Sequence, residues 1–301
     1  MHIPDGFLSA RVWAPLDLVA APVVAWMGRK AQREFDHHKI PLMGVMGAFI
    51  FAAQMINFPV GNGTSGHLVG SALLAYTLGP AAASIVMVAI LSIQALVFQD
   101  GGLLALGANV CNMAIAGVFA GYLPYMLLKG RKSGMFLGGV LSLLASALLA
   151  LAELTLSGVR MPPAVLTVSL GLFVVSALIE GAITVAVVGA LEKIQPGFLV
   201  KPATGGGRVG LVLGSAAVVL AGAGVFVASQ HPDGIESLAR NIGIWSLANP
   251  LFQTPLADYQ IPFAAAPWFG KAVAGLAGVA AVYLACRAAG RVLATRPGEG
   301  S

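Results

Sequence analysis

The two residues best suited to chemistry are the first two of the chain. In Met1-His2-Ile3-Pro4-Asp5-Gly6, a free α-amine, the peptide nitrogen after it and an imidazole on residue two form a compact chelator. If that amide gives up its proton to a metal ion, amine and amide close one small ring, and amide and imidazole close a second. Three nitrogens then share a plane around the ion, with a fourth in-plane position open. The histidines available are His2, His37, His38, His67 and His231. Of these, His67 follows the glycine-rich loop Gly61-Asn62-Gly63-Thr64-Ser65-Gly66, which is expected to fold back flexibly over the chain start. Square-planar nitrogen ligation suits Cu(II) or Ni(II), and imidazole also suits cobalt and zinc. A histidine at position two is more often a plain polar end residue, so the surroundings must decide.

Those surroundings are apolar. The chain is 58% hydrophobic and 10% charged, against about 25% charged in ordinary soluble domains. It cannot cover itself with polar surface and is expected to be an all-α polytopic membrane protein. The net charge of +5 is then a matter of topology, not of nucleic-acid binding, because basic residues collect in cytoplasmic loops. Cys111 and Cys286 fall in different apolar segments and form no CxxC pair, which argues against a disulfide framework or zinc knuckle. The chain opens on a turn instead of a basic, apolar leader, so it is expected to keep Met1. No GxxxxGK[ST], HExxH or serine-nucleophile pattern is present, so hydrolysis of ATP or of a peptide bond is not expected.

A bilayer core asks for about 20 apolar residues per helix, and nine apolar segments are legible by that ruler: 12–27, 40–57, 68–78, 81–98, 103–128, 135–157, 164–191, 209–229 and 268–286. The third is too short to span and breaks at Gly79-Pro80. Basic residues gather after the first segment (Arg29, Lys30, Arg33, Lys39), the fifth (Lys129, Arg131, Lys132) and the last (Arg287, Arg291, Arg296). With the amino terminus outside and the carboxyl terminus in the cytoplasm, only Arg11, Arg160, Arg240 and Lys271 fall outside, as the positive-inside bias requires. Met1, His2 and the His67 loop then share the external face, whereas His37 and His38 lie on the other as solvated loop residues. The segments divide into a bundle of about seven over residues 1–199, a Gly-rich linker at 200–208, and a part at 209–301 with two helices flanking an external loop. That loop carries His231-Pro232-Asp233-Gly234, read as a plain turn.

Groups that orient the imidazoles are sought nearby: Thr64 and Ser65 beside His67, then Gln94, Asn109 and Asn112, with Asn109 favoured because it follows a glycine-rich external turn. Membrane amides also simply tie helices together. Glu180 and Glu153 lie in apolar segments, as ion or proton relays or as structural acceptors. Asp5 and Asp100 are external and would attract cations without ligating them. Gly44, Ala48 and Ala52 recur four apart on the second segment, as internal packing or as a docking ridge for another subunit.

The stretches MHIPDGFLS (1–9), NFPVGNGTSGHLVG (57–70), FQDGGLLALGANVCNM (98–113) and EGAIT (180–184) resemble the NikM/CbiM proteins, metal-specific S components of energy-coupling factor (ECF) transporters, over about the first two hundred residues. HPDGIESLA (231–239) resembles the NikN/CbiN, PDGLE-type auxiliary component, here fused to the first part. The resemblance implies an S-component-like helical bundle in a prokaryotic plasma membrane, with Met1 supplying its amine, His2 its amide and imidazole, and His67 the fourth ligand. It implies Ni2+ or Co2+ as transported substrate, with MHIPDG and GTSGH looking like the nickel branch. The implied partners are a transmembrane coupling subunit (CbiQ/NikQ-like), docking on the face of Gly44, Ala48 and Ala52, and ABC ATPase subunits (CbiO/NikO-like), which alone use ATP. A proton-driven secondary transporter working through Glu180 or Glu153 is one rival. The other is an intramembrane metal enzyme, which would need an open coordination position beside a general base that the sequence does not supply.

Overall fold

In lipid each main-chain polar group must find its partner within the protein, so apolar runs of this length become helices. The computed structural model describes residues 1–34, 37–199, 207–261 and 266–294; the linker expected at 200–208, up to residue 206, and Arg296 lie outside them. The first part holds α1 (Ala10–Glu34), α2 (Ile40–Gln54), strands β1 (Phe58–Gly61) and β2 (Thr64–Gly66), α3 (Ser71–Leu78), α4 (Pro80–Ile93), α5 (Leu106–Asn109), α6 (Val118–Leu127), α7 (Lys132–Leu156) and α8 (Pro163–Ile194). The second holds α9 (Arg208–Ala223), α10 (Gly234–Asn241) and α11 (Pro267–Ala294).

Among the described residues, seven helical stretches are long and apolar enough to cross a membrane: α1, α4 with its last turn, α5 through α6, α7, α8, α9 with its last turn, and α11. The chain is a helical, multi-pass membrane protein. The other two segments are short, 15 residues in α2 and eight in α3, and both are central: α2 is buried from Leu42 to Gln54 and α3 throughout. The break at Gly79-Pro80 stands where expected, with Pro80 opening α4, a position where its missing N–H costs nothing.

Three readings change. The loop before His67 is a β-hairpin in which Phe58 pairs with Gly66 and Pro59 with Ser65, so it is fixed and not a loose flap. The last helix runs to Ala294, which puts Arg287 and Arg291 inside it. The ridge on α2 faces inward: Gly44 lies against Tyr283 of α11, where an added Cβ would sit 3.0 Å from the ring, and Ala48 and Ala52 are buried. Small residues there let α2 and α11 approach closely at Gly44, as the internal-packing reading of the ridge expects.

Two helices widen by π turns beside the amino end. Gln94–Phe98 closes the fourth helix just before Asp100, and Val110–Gly117 follows Asn109 directly. Such turns re-aim side chains within an otherwise regular helix.

Candidate metal centre

The amino end is not a fraying tail. Residues 1–8 run into the protein, with Met1, His2, Ile3, Asp5, Phe7 and Leu8 all buried. Asn109, at the end of α5, holds Ile3 at both main-chain groups: it accepts from the Ile3 N–H at 2.9 Å and donates to the Ile3 carbonyl at 3.1 Å. Gly102 donates to the same carbonyl at 2.8 Å. The Asp5 carboxylate accepts from the N–H groups of Leu103 and Leu104. The turn at 101–102 must pass close to do this; at Gly101, with φ +99°, a Cβ would stand 3.2 Å from His2.

Held this way, the Met1 α-amino group lies 2.8 Å from His67 Nε2. The other ring nitrogen, Nδ1, sits 3.0 Å from the Leu68 carbonyl and donates to it, which leaves the Nε2 lone pair toward the amine. Two nitrogens each about 2.0 Å from one ion and at right angles to each other are about 2.8 Å apart, so the pair has the spacing of adjacent metal ligands. The His2 and His67 rings stack, their planes 6° apart and their centroids 5.5 Å. Among the described residues no three His, Cys, Asp or Glu side chains are arranged to hold an ion.

Two carboxylates stand at the site. Asp233 Oδ2 pairs closely with the Met1 ammonium and lies 3.7 Å from His67 Nε2. Asp100 Oδ1 accepts from His2 Nδ1 at 2.9 Å, and its Oδ2 accepts from the Tyr259 hydroxyl at 2.7 Å. His2 Nε2 is buried with no partner. Burial pushes the Asp233 carboxyl up, but the Met1 ammonium and His67 more than reverse this and hold it well below the usual carboxylate range. Asp100 is likewise held low, against burial, by His2 and Tyr259. Burial first, then the neighbouring ammonium, keeps the His67 imidazole below its ordinary value despite the opposing pull of Asp233. The ring is therefore neutral and ready to ligate at pH 7.

A cavity of about 630 Å³ leads to His2 and His67. Its walls come from the first part (Gln54, Asn57, Asp100) and from the second (His231, Asp258, Lys271).

The remaining expected residues are placed as follows. Thr64 and Ser65 do not touch His67's ring: Ser65 Oγ donates to the His231 carbonyl at 2.8 Å and Thr64 Oγ1 meets Ser237 Oγ at 2.8 Å. Gln94 donates to Gln54 Oε1, and Gln54 donates to the Val69 carbonyl. Asn112 stands apart from the site, donating to Glu153 at 2.8 Å. Glu180 accepts from the Val69 and Gly70 N–H groups at 2.8 Å each, so its carboxylate clamps the segment just past His67. The reading missed Asp233 at the amine and Asp100 on His2 Nδ1. Pro-Asp-Gly announces only a turn, and a charged amine leaves no mark in the sequence that would point to its counterion.

The family profile described as the cobalt uptake substrate-specific transmembrane region matches residues 2–198, and the PDGLE domain profile matches residues 207–295. A protein of Archaeoglobus fulgidus described as a putative fused nickel transport protein NikMN is 33% identical over 291 residues, covering 94% of this chain and 95% of that one. A Geobacter sulfurreducens protein described as the cobalt transport protein CbiM is 34% identical over 67% of this chain and 62% of its own length. A crystal structure of a truncated transition metal transporter superposes with a TM-score of 0.58 at 35% identity, over 64% of this chain and 99% of that one. The chain belongs to the CbiM family of cobalt uptake substrate-specific transmembrane regions and carries a PDGLE domain in its second part.

Proposed function

We propose that this chain is the substrate-capturing subunit of an ATP-driven ECF importer and that its substrate is Ni2+. The observation that carries the reading is the 2.8 Å approach of the Met1 amine to His67 Nε2 in a buried pocket at the end of a polar cavity. With the His2 ring turned from Asp100, the amine, the His2 amide, the His2 imidazole and His67 Nε2 would supply four nitrogens in a plane, an arrangement that suits Ni(II). Thr64, Ser65 and Asn109 support it by fixing the hairpin and Ile3. The relatives described as nickel transport proteins support the same ion. Co2+ is the second reading, favoured by the relatives that carry the cobalt name.

In this reading residues 1–199 are the metal-binding component and residues 209–301 the fused auxiliary component. The amino terminus and the cavity face the outside of a prokaryotic plasma membrane, because the basic residues gather at the other end of the helices. Energy comes from outside the chain: a transmembrane coupling subunit and ABC ATPase subunits complete the importer. Since a ligand biases a conformation only through differential affinity, the partners must act by favouring a state in which the four nitrogens no longer meet.

The test is calorimetric titration of the detergent-purified chain with Ni2+ and Co2+. The native protein is compared with one carrying an extra residue before Met1 and with His67→Ala. Both changes are expected to abolish high-affinity binding. Undiminished binding to the extended chain would exclude the amine as a ligand. Uptake of radioactive nickel into vesicles, with and without the ATPase subunits, tests the energy source; uptake that persists without them would favour a secondary transporter.

A further inference from the structure

We propose that Asp233 is a positioning residue for the Met1 amine, so that the metal site is assembled from both parts of the chain. This rests on the amine being a ligand, as proposed above.

The turn that carries Asp233 is bolted to the hairpin that leads into His67. The Ser65 N–H donates to the Pro232 carbonyl at 2.8 Å, Ser65 Oγ reaches the His231 carbonyl, and Thr64 meets Ser237 across the same seam. Asp233 caps α10, its Oδ1 accepting from the Glu236 N–H at 2.8 Å. With one oxygen committed to the cap, the other is fixed in direction and points at the Met1 ammonium. Asp100, the other carboxylate at the site, is taken up by His2 and Tyr259. A buried ammonium without a counter-charge is costly, and Asp233 is the group that balances it.

The same contact serves after the ion arrives. Ligation replaces one amine proton by the metal and releases that proton to the water-accessible cavity. The coordinated –NH2 keeps two N–H groups, one of which remains a donor to Asp233. Asp233 therefore fixes the amine in both states, first as counterion and then as hydrogen-bond acceptor, without occupying a place in the nitrogen plane. A carboxylate in this role raises the basicity of the ligand it holds.

The experiment uses the full chain in detergent, titrated with Ni2+ alone, with the absorption spectrum recorded at saturation. Asp233→Asn is expected to lower affinity by about 10- to 100-fold with the nickel band unmoved. Asp233→Glu should restore part of the loss. Ser237→Ala, which loosens the seam without touching the amine, should bind within about threefold of native, well short of the loss expected for an orienting group. Native affinity in Asp233→Asn would overturn the proposal. A band shift in that variant would overturn it in favour of direct ligation, and an equal loss in Ser237→Ala in favour of loop docking alone. If the chain extended before Met1 binds normally, the amine is not a ligand and both readings fall. If extension abolishes binding while Asp233→Asn does not, only the role of Asp233 falls.

Discussion

His2 Nδ1 and Asp100 Oδ1 are 2.9 Å apart, while Nε2 of the same ring is buried without a partner. A carboxylate only accepts, so the proton of this imidazole is on Nδ1. Yet the six-membered chelate ring with the His2 amide can close only through Nδ1. In the proposed chelate, loading an ion would therefore require the ring to change tautomer and give up Asp100.

Nitrogen-15 spectra of ring-labelled histidine read this directly. The ion-free chain is expected to show His2 protonated on Nδ1, and the nickel-bound chain on Nε2. A bound form that keeps the proton on Nδ1 would leave Nε2 as the ligating atom and rule out the planar chelate.

Acid should weaken binding. Ligation needs a neutral amine and neutral imidazoles, so each proton displaced makes apparent affinity rise about tenfold per pH unit. Because the folded His67 sits below its ordinary value, its own competition begins only under about pH 6.5. The depression also costs stability in acid: below that pH the unfolded chain takes up a proton that the folded one resists, so the melting temperature should fall as pH drops. Affinity measured at several pH values checks the first claim, and thermal unfolding of the metal-free chain the second. An affinity that does not rise with pH would be incompatible with ligation that displaces protons.

Glu180→Gln separates clamp from relay. The carboxylate offers two acceptors to Val69 and Gly70, and an amide would turn a donor toward one of them. Leaving a buried N–H unpaired costs about 1–3 kcal/mol, so lower stability and weaker nickel binding are both expected. Intact binding with lost transport would indicate a proton relay instead.

Gly44→Val tests what the small-residue ridge is for. Its side chain would press on Tyr283 of α11, and overpacking of this kind costs about 1–3 kcal/mol. The isolated chain should therefore melt earlier. An unchanged melting temperature combined with a lost complex would mark the ridge as a docking surface.

The helices were legible because lipid makes helix the only answer to a long apolar run, and Gly79-Pro80 punctuated the one ambiguous stretch. That Met1 and His67 share an end followed from counting basic residues along the segments. The hairpin was overlooked although Asn62-Gly63, both with positive φ, is the pair that tight β-turns demand; its glycines were read as looseness. Thr64 and Ser65 were taken for His67's supports because they adjoin it in sequence, but their hydroxyls meet Ser237 and the His231 carbonyl of the PDGLE part, partners that sequence proximity does not announce. Asp233 lies 232 residues from its partner, a distance at which no local spacing carries information.

The buried amine has a consequence for how the protein comes of age. A nascent chain whose first nitrogen still bears a formyl or acetyl group presents an amide there, with no charge for Asp233 to balance and no lone pair to offer an ion. With the amine in the ligating role proposed above, an acylated amino end would be unable to bind an ion, and deacylation would govern competence. The intact mass of the purified chain reads its completion: a population that retains the acyl group should be the population that fails to bind.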